Sequence, residues 1–182
     1  LTAKPKLLVE VISASIFIFL TEIRIDSFYG LFGVNELPVM LSYGFTIFVF
    51  IVIINSFNFT DGIDGLAASI AIIIFCFFLY YFINIKSIMA IISISSMLGS
   101  ILAFLKFNFS KGQLKIFMGN VGSLVIGFLL AVFTTMVLST GFSNIYFIPN
   151  KPVFILALFA FPFIDTIRVI ILRVISAKSP FL

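Results

Sequence analysis

The run Asn55-Ser56-Phe57-Asn58-Phe59-Thr60-Asp61-Gly62-Ile63-Asp64-Gly65-Leu66 holds two of the chain's seven carboxylates, three residues apart and each followed by glycine. Asp61 and Asp64 are hard oxygen donors of the kind a divalent cation takes. The glycines allow the backbone to approach a ligand closely, and the first N–H groups of a helix beginning near Leu66 favour phosphate. A tight turn with Asp64 as helix cap accounts for one Asp-Gly pair. It does not account for two such pairs preceded by Asn55 and Asn58. An EF-hand is excluded, because the D-x-[DN]-x-[DN]-G spacing is absent.

A second run, Lys115-Ile116-Phe117-Met118-Gly119-Asn120-Val121-Gly122-Ser123-Leu124, places glycine, asparagine and serine where another helix starts, with a lysine just upstream. A phosphate could use the helix-initial N–H groups, Ser123 and Lys115 together; an ordinary Asn/Ser cap beside membrane-flanking lysines reads the same residues without a ligand. A third run, Pro162-Phe163-Ile164-Asp165-Thr166-Ile167-Arg168, is followed by Arg173 and Ser179-Pro180-Phe181. Asp165 and Arg168 stand at i and i+3, so they either pair with each other or face a polar cavity.

The elements that must carry these residues are apolar. Of 182 residues, 62% are hydrophobic and 10% charged, and mean hydropathy is +1.31. A globule of this size buries only about 70% of its unfolded surface, which excludes a soluble domain; a disordered chain and a nucleic-acid-binding module are excluded with it. With no histidine and one cysteine, Cys76, a disulfide framework and a Cys/His zinc site are also excluded. Six stretches approach the roughly 20 apolar residues that a membrane helix needs: about 6–20, 38–58, 65–84, 86–105, 121–141 and 152–172. The fold class expected is all-α, a polytopic transmembrane helix bundle of about six spans forming a single membrane domain over 1–182.

Lysine and arginine set the orientation. With a cytoplasmic N-terminus, eight of the eleven fall inside (Lys4, Lys6, Lys106, Lys111, Lys115, Arg168, Arg173, Lys178) and three outside (Arg24, Lys86, Lys151). The five tyrosines, Tyr29, Tyr43, Tyr80, Tyr81 and Tyr146, then fall near outer span ends, as an interfacial belt does. The outer segment 21–38 holds Gly30, Gly33 and Pro38 and reads as a hairpin excursion. The inner loops, about 56–65 and 106–122, contain the first two runs, and the third lies at the inner end of the last span. All three converge on one face.

These runs, in this order, resemble the polyprenyl-phosphate N-acetylhexosamine-1-phosphate transferases, glycosyl transferase family 4, over nearly the whole chain. The segment Phe28-Tyr29-Gly30-Leu31-Phe32-Gly33 with Glu36-Leu37-Pro38 resembles the UDP-N-acetylglucosamine branch more than the related phospho-N-acetylmuramoyl-pentapeptide transferases. The resemblance implies transfer of a sugar-1-phosphate from a UDP-sugar donor to undecaprenyl phosphate. UMP is released, Mg²⁺ is bound (with Mn²⁺ as a substitute), and the step opens a cell-envelope polysaccharide pathway such as cell wall or lipopolysaccharide. It further implies a multi-pass protein of the bacterial plasma membrane with a cytoplasmic active face, compatible with a homodimer and with no nucleic-acid partner.

Carried over residue by residue, the resemblance makes Asp61 and Asp64 the paired catalytic aspartates, Asn58 the motif asparagine before them and Phe117 the aromatic that stacks on uracil. Lys115, Gly122, Ser123 and Arg168 join the substrate-binding set; Asp61 and position 120 are the metal ligands. Asn108 matches a loop asparagine loosely. At position 120 the family pattern has aspartate and this chain has Asn120, a neutral ligand for a charged one. The family's Asp-Asp motif would precede Leu1 and its histidine motif would follow Phe181, so the chain is expected to be a fragment of a longer transferase. Two other classes remain on the residues alone. A degenerate protein that binds nucleotide or lipid without turnover is favoured by Asn120, and a transporter is disfavoured because the carboxylates gather at one face and not at the midplane.

Overall fold

The computed structural model describes residues 3–142, 148 and 150–176. Lys178, Ser179-Pro180-Phe181 and Tyr146 lie outside the described residues, as does the side chain of Lys4. The fold is all-α. Seven helices follow one another as α1 (Ala3–Thr21), α2 (Val39–Thr60), α3 (Leu66–Asn84), α4 (Ile88–Asn108), α5 (Gly119–Leu138), α6 (Lys151–Leu158) and α7 (Ala160–Ile175).

Four of the six expected spans, α2 to α5, are long and apolar enough to cross a membrane; α6 and α7 meet the same measure only as a pair, bent by 61° at the break between them. The sequence suggested one continuous span over 152–172. Pro162 explains the break: it has no N–H for the carbonyl of Leu158, four residues back, and its ring crowds that carbonyl. The remaining expected span, α1, is helical over its whole length, but its 19 residues include Lys4, Lys6 and Glu10.

α2 is central and packs against α1, α5 and α7, while α3 packs against α4 and α5. The core between them is built largely of phenylalanine. Phe50, Phe57, Phe75, Phe78, Phe82 and Phe159 are fully buried, and Phe57 meets Phe159 edge-on at 6.2 Å, seating the α6–α7 joint on α2. At Gly127 the backbones of α5 and α2 come close: a Cβ there would lie 2.8 Å from the Ile54 Cα of α2. Small residues permit such backbone contact where the bilayer offers no hydrophobic drive between helices.

The expected hairpin excursion is present: Ser27 and Glu36 form an antiparallel bridge, and Leu37 N donates to Asp26 O at 2.9 Å. Asp26 also accepts from the Thr140 backbone N–H (3.0 Å) and hydroxyl (2.6 Å), tying the hairpin to the end of α5. Two expectations at this end are corrected. Tyr81 is fully buried and not part of an interfacial belt. Lys151, counted as an outer surface cation, is 1% exposed; its Nζ donates to Tyr81 Oη (3.2 Å) and Val137 O (3.1 Å). Starting a helix at Lys151 turns its side chain inward onto the aromatic rings of Tyr29 and Tyr81.

Candidate functional site

The opposite end of the bundle carries the connections 61–65 and 109–118, both shorter than the sequence suggested because α2, α4 and α5 extend into them. The first is a tight turn. Asp61 N donates to Phe57 O at 3.2 Å, closing α2, and Leu66 N donates to Ile63 O at 3.1 Å. Gly65 has φ +72° at the start of α3, a conformation that L side chains resist. A Cβ there would also lie 2.3 Å from the Phe109 ring, which leans over the turn. The second connection is pinned by buried Asn108, whose Nδ2 donates to Ile116 O at 2.8 Å.

The two connections meet through Lys115. Its Nζ donates to Asp64 Oδ2 in an ion pair and also lies 5.0 Å from the centre of the Phe117 ring. Phe117 is 72% exposed, so an aromatic face stands open beside a carboxylate and an ammonium. Asp61 is half-buried, and no side-chain partner for its carboxylate stands among the described residues. Burial pushes its pKa above the ordinary aspartate value, and the neighbouring Asp64 charge pushes it further the same way.

Asn58 and Ser123 lie behind this front. Asn58 Nδ2 donates to Ser123 Oγ at 2.9 Å, and Ser123 is fully buried, its hydroxyl also within reach of Gly119 O (3.3 Å) and Asn120 O (3.2 Å). Ser123 therefore joins α5 to α2 here and is not presented to solvent. Gly122 lies in the first turn of α5, where a Cβ would come 2.6 Å from Met118 Cγ. Asn120 is exposed on the same turn.

Arg168 is paired within its own helix. Its guanidinium donates to Asp165 Oδ1 at 2.9 and 2.6 Å, realising the local pair that the i, i+3 spacing allows. The α7 cation that reaches the α2 end is Arg173, lying over the Phe59 ring at 5.3 Å. Sequence reasoning also missed Lys6. Its Nζ donates to the side-chain oxygens of both Asn55 (3.1 Å) and Asn58 (2.7 Å). The available signal was a Lys and a Glu four residues apart in an apolar helix, where charge is costly and needs a partner.

Among the described residues no three Asp, Glu, His or Cys side chains gather as a metal site. A cation here would rest on one or two protein oxygens, with phosphate oxygens and water completing the shell, which is how Mg²⁺ is usually held. Asp61 fits that role, because a cation beside it would offset both the burial and the Asp64 repulsion that oppose its ionisation.

The family model for glycosyl transferase family 4 matches residues 1–138. The phospho-N-acetylmuramoyl-pentapeptide-transferase of Enterococcus hirae is 38% identical over 140 residues, covering 75% of this chain and 42% of that protein. The protein of the same name from Enterococcus faecalis is 34% identical over 135 residues (72% and 41%), and that from Streptococcus pyogenes is 35% identical over 136 (72% and 39%). The chain thus spans about two fifths of the length of the curated relatives it matches.

Proposed function

Because the chain belongs to glycosyl transferase family 4, we propose that it acts in transferring a sugar-1-phosphate from a UDP-sugar to undecaprenyl phosphate, releasing UMP. The single observation that carries this reading is the joining of the two polar connections at one end of the bundle, where Lys115 links Asp64 to the open face of Phe117. The Lys/Arg distribution supports a cytoplasmic position for that end in a bacterial plasma membrane, where a nucleotide sugar is soluble and a polyprenyl phosphate arrives laterally.

Each group has a role its chemistry supports. Phe117 offers a flat, exposed face for a uracil ring. Lys115 is a mobile point charge for a phosphate, and it leaves Asp64 when it takes one. The acceptor phosphate is itself the nucleophile, so no Ser or Cys nucleophile is required. Asp61 and Asn120, with Asp64 three residues along from Asp61, would hold Mg²⁺, which when bound would neutralise pyrophosphate charge and the charge developing on departing UMP.

Two donors have support. The segment Phe28–Pro38 favours UDP-N-acetylglucosamine, although it lies at the far end of the bundle from Asp61 and Asp64 and so marks kinship and not donor contact. The relatives, named for phospho-N-acetylmuramoyl-pentapeptide transfer, favour the UDP-linked muramoyl pentapeptide. Incubating the full-length protein with undecaprenyl phosphate and each donor separately, and measuring UMP and lipid-linked product, decides between them. Product from one donor assigns the substrate. UMP from neither, in the parent or in Asn120→Asp, overturns the transferase reading.

A further inference from the structure

A chain of part-buried polar contacts, with buried Glu10 and Ser123 at its two ends, runs behind the site and crosses three helices. On α1, Lys6 and Glu10 stand at i and i+4, with Nζ and Oε1 3.9 Å apart. Glu10 is only 4% exposed, and its Oε2 accepts from Asn55 Nδ2 of α2 at 2.6 Å. Lys6 accounts for both asparagine oxygens, and Asn58 Nδ2 passes the chain to Ser123 in the first turn of α5. The order is Glu10, Asn55, Lys6, Asn58, Ser123.

This order fixes the amides as well as the helices. An ammonium only donates and an ionised carboxylate only accepts. Asn55 must therefore turn Nδ2 to Glu10 and Oδ1 to Lys6, and Asn58 must turn Oδ1 to Lys6, leaving Nδ2 for Ser123. Asn58 is one helical turn before Asp61, whose own N–H closes α2 on Phe57 O. A rotation of Asn58, or a shift of α1, would be felt at the Asp61–Gly65 turn and at the α5 turn holding Asn120.

We propose that Lys6, Glu10 and Asn55 are positioning residues: a charge-ordered strut by which α1 holds Asn58, and through it the Asp61 turn and the start of α5, in one geometry. The proposal rests on the transferase reading for its kinetic consequence, not for its structural one. Glu10 supplies the countercharge that keeps Lys6 on α2. Removing Lys6 alone leaves Glu10 buried and uncompensated, and removing Glu10 alone leaves Lys6 part-buried without its countercharge; either is more damaging than removing both.

Lys6→Met, Glu10→Met and the double variant of the full-length protein test this. Each single variant should unfold at lower temperature than the parent, and the double variant should recover most of that loss. A purely structural strut would recover kcat as well. A positioning strut would not, because displacement of a reacting group by about 1 Å costs about 10²-fold. In the double variant we expect kcat reduced by about 10- to 100-fold with donor KM near parental. Backbone hydrogen exchange at 61–65 should be faster than in the parent. Restored kcat, or a raised donor KM at unchanged kcat (Lys6 touching the donor directly), overturns the proposal. If the parent shows no transfer, the functional reading fails, and exchange at 61–65 alone decides the strut: unchanged rates in the double variant refute it.

Discussion

Gly127→Ala sets two opposing effects against each other where α5 meets the backbone of α2. Alanine favours a helix interior over glycine by about 1 kcal/mol. Against that, the new Cβ would lie 2.8 Å from Ile54 Cα and 3.3 Å from Ile54 O, and both are backbone atoms that no rotamer change can move. Ordinary contact begins at 3.4 Å, so α2 and α5 must part by about 0.6 Å, the difference between 3.4 and 2.8 Å. One turn away on both helices, the same separation would stretch the 2.9 Å Asn58–Ser123 hydrogen bond toward about 3.5 Å, beyond useful geometry. Overpacking costs about 1–3 kcal/mol and a lost hydrogen bond about 0.5–1.5 kcal/mol. Subtracting the helix gain leaves a destabilisation of about 0.5–3.5 kcal/mol. Gly99→Ala in α4 is the control, since a Cβ there meets nothing within 4 Å; it should stabilise by up to about 1 kcal/mol. Thermal unfolding of both variants in detergent measures the contrast. A Gly127→Ala protein as stable as Gly99→Ala would refute the close-contact account of α2 and α5.

Other perturbations reach the site itself. Asp61 has a raised pKa, from burial first and Asp64 second, so its ionisation costs folded-state stability. That cost is absent below the ordinary aspartate value and grows as pH rises through the raised one. Asp61→Asn should therefore unfold at higher temperature than the parent at neutral pH, with the gap closing on acidification, while transfer is lost; a constant gap across pH would contradict it. Asn120→Asp should raise Mg²⁺-dependent UMP release by about 10²–10³-fold if position 120 is a metal ligand. Equal rates and equal Mg²⁺ dependence would show that it is not. For sidedness, single cysteines at exposed Lys111 and Lys86 in a Cys76→Ala background should react with an impermeant thiol reagent in intact cells at 86 only, and labelling at 111 would reverse the topology.

The helices and the convergence of the first two runs could be read from the sequence because they rest on local signals. Uninterrupted apolar runs define α2 to α5, and polar, glycine-rich breaks mark where Asp61, Asp64 and Phe117 come together. What escaped depends on contacts between distant residues. Lys6 meets Asn58 across 52 positions, and Lys151 meets Tyr81 across 70. Composition registers such lysines only as charges, and counting them as flanking cations sent Lys151 to the surface when it is buried. The bend between α6 and α7 had its cause in view, at Pro162, but hydropathy averages across a proline and returns one span. Arg168 shows the converse: its nearest acidic neighbour in sequence, Asp165, is also its partner in space.

The central claim is that the Asp61 end of the bundle serves sugar-1-phosphate transfer to a lipid phosphate. Its most direct test is UMP release by the full-length protein from a UDP-sugar, with and without undecaprenyl phosphate and Mg²⁺, for the parent, Asn120→Asp, and each of these carrying Asp61→Asn. The account predicts release that requires both the lipid phosphate and the metal, that is faster in Asn120→Asp, and that falls by about 10² or more when Asp61 loses its charge. Release at an undiminished rate in the Asp61→Asn proteins, or release that ignores the lipid phosphate, would contradict it.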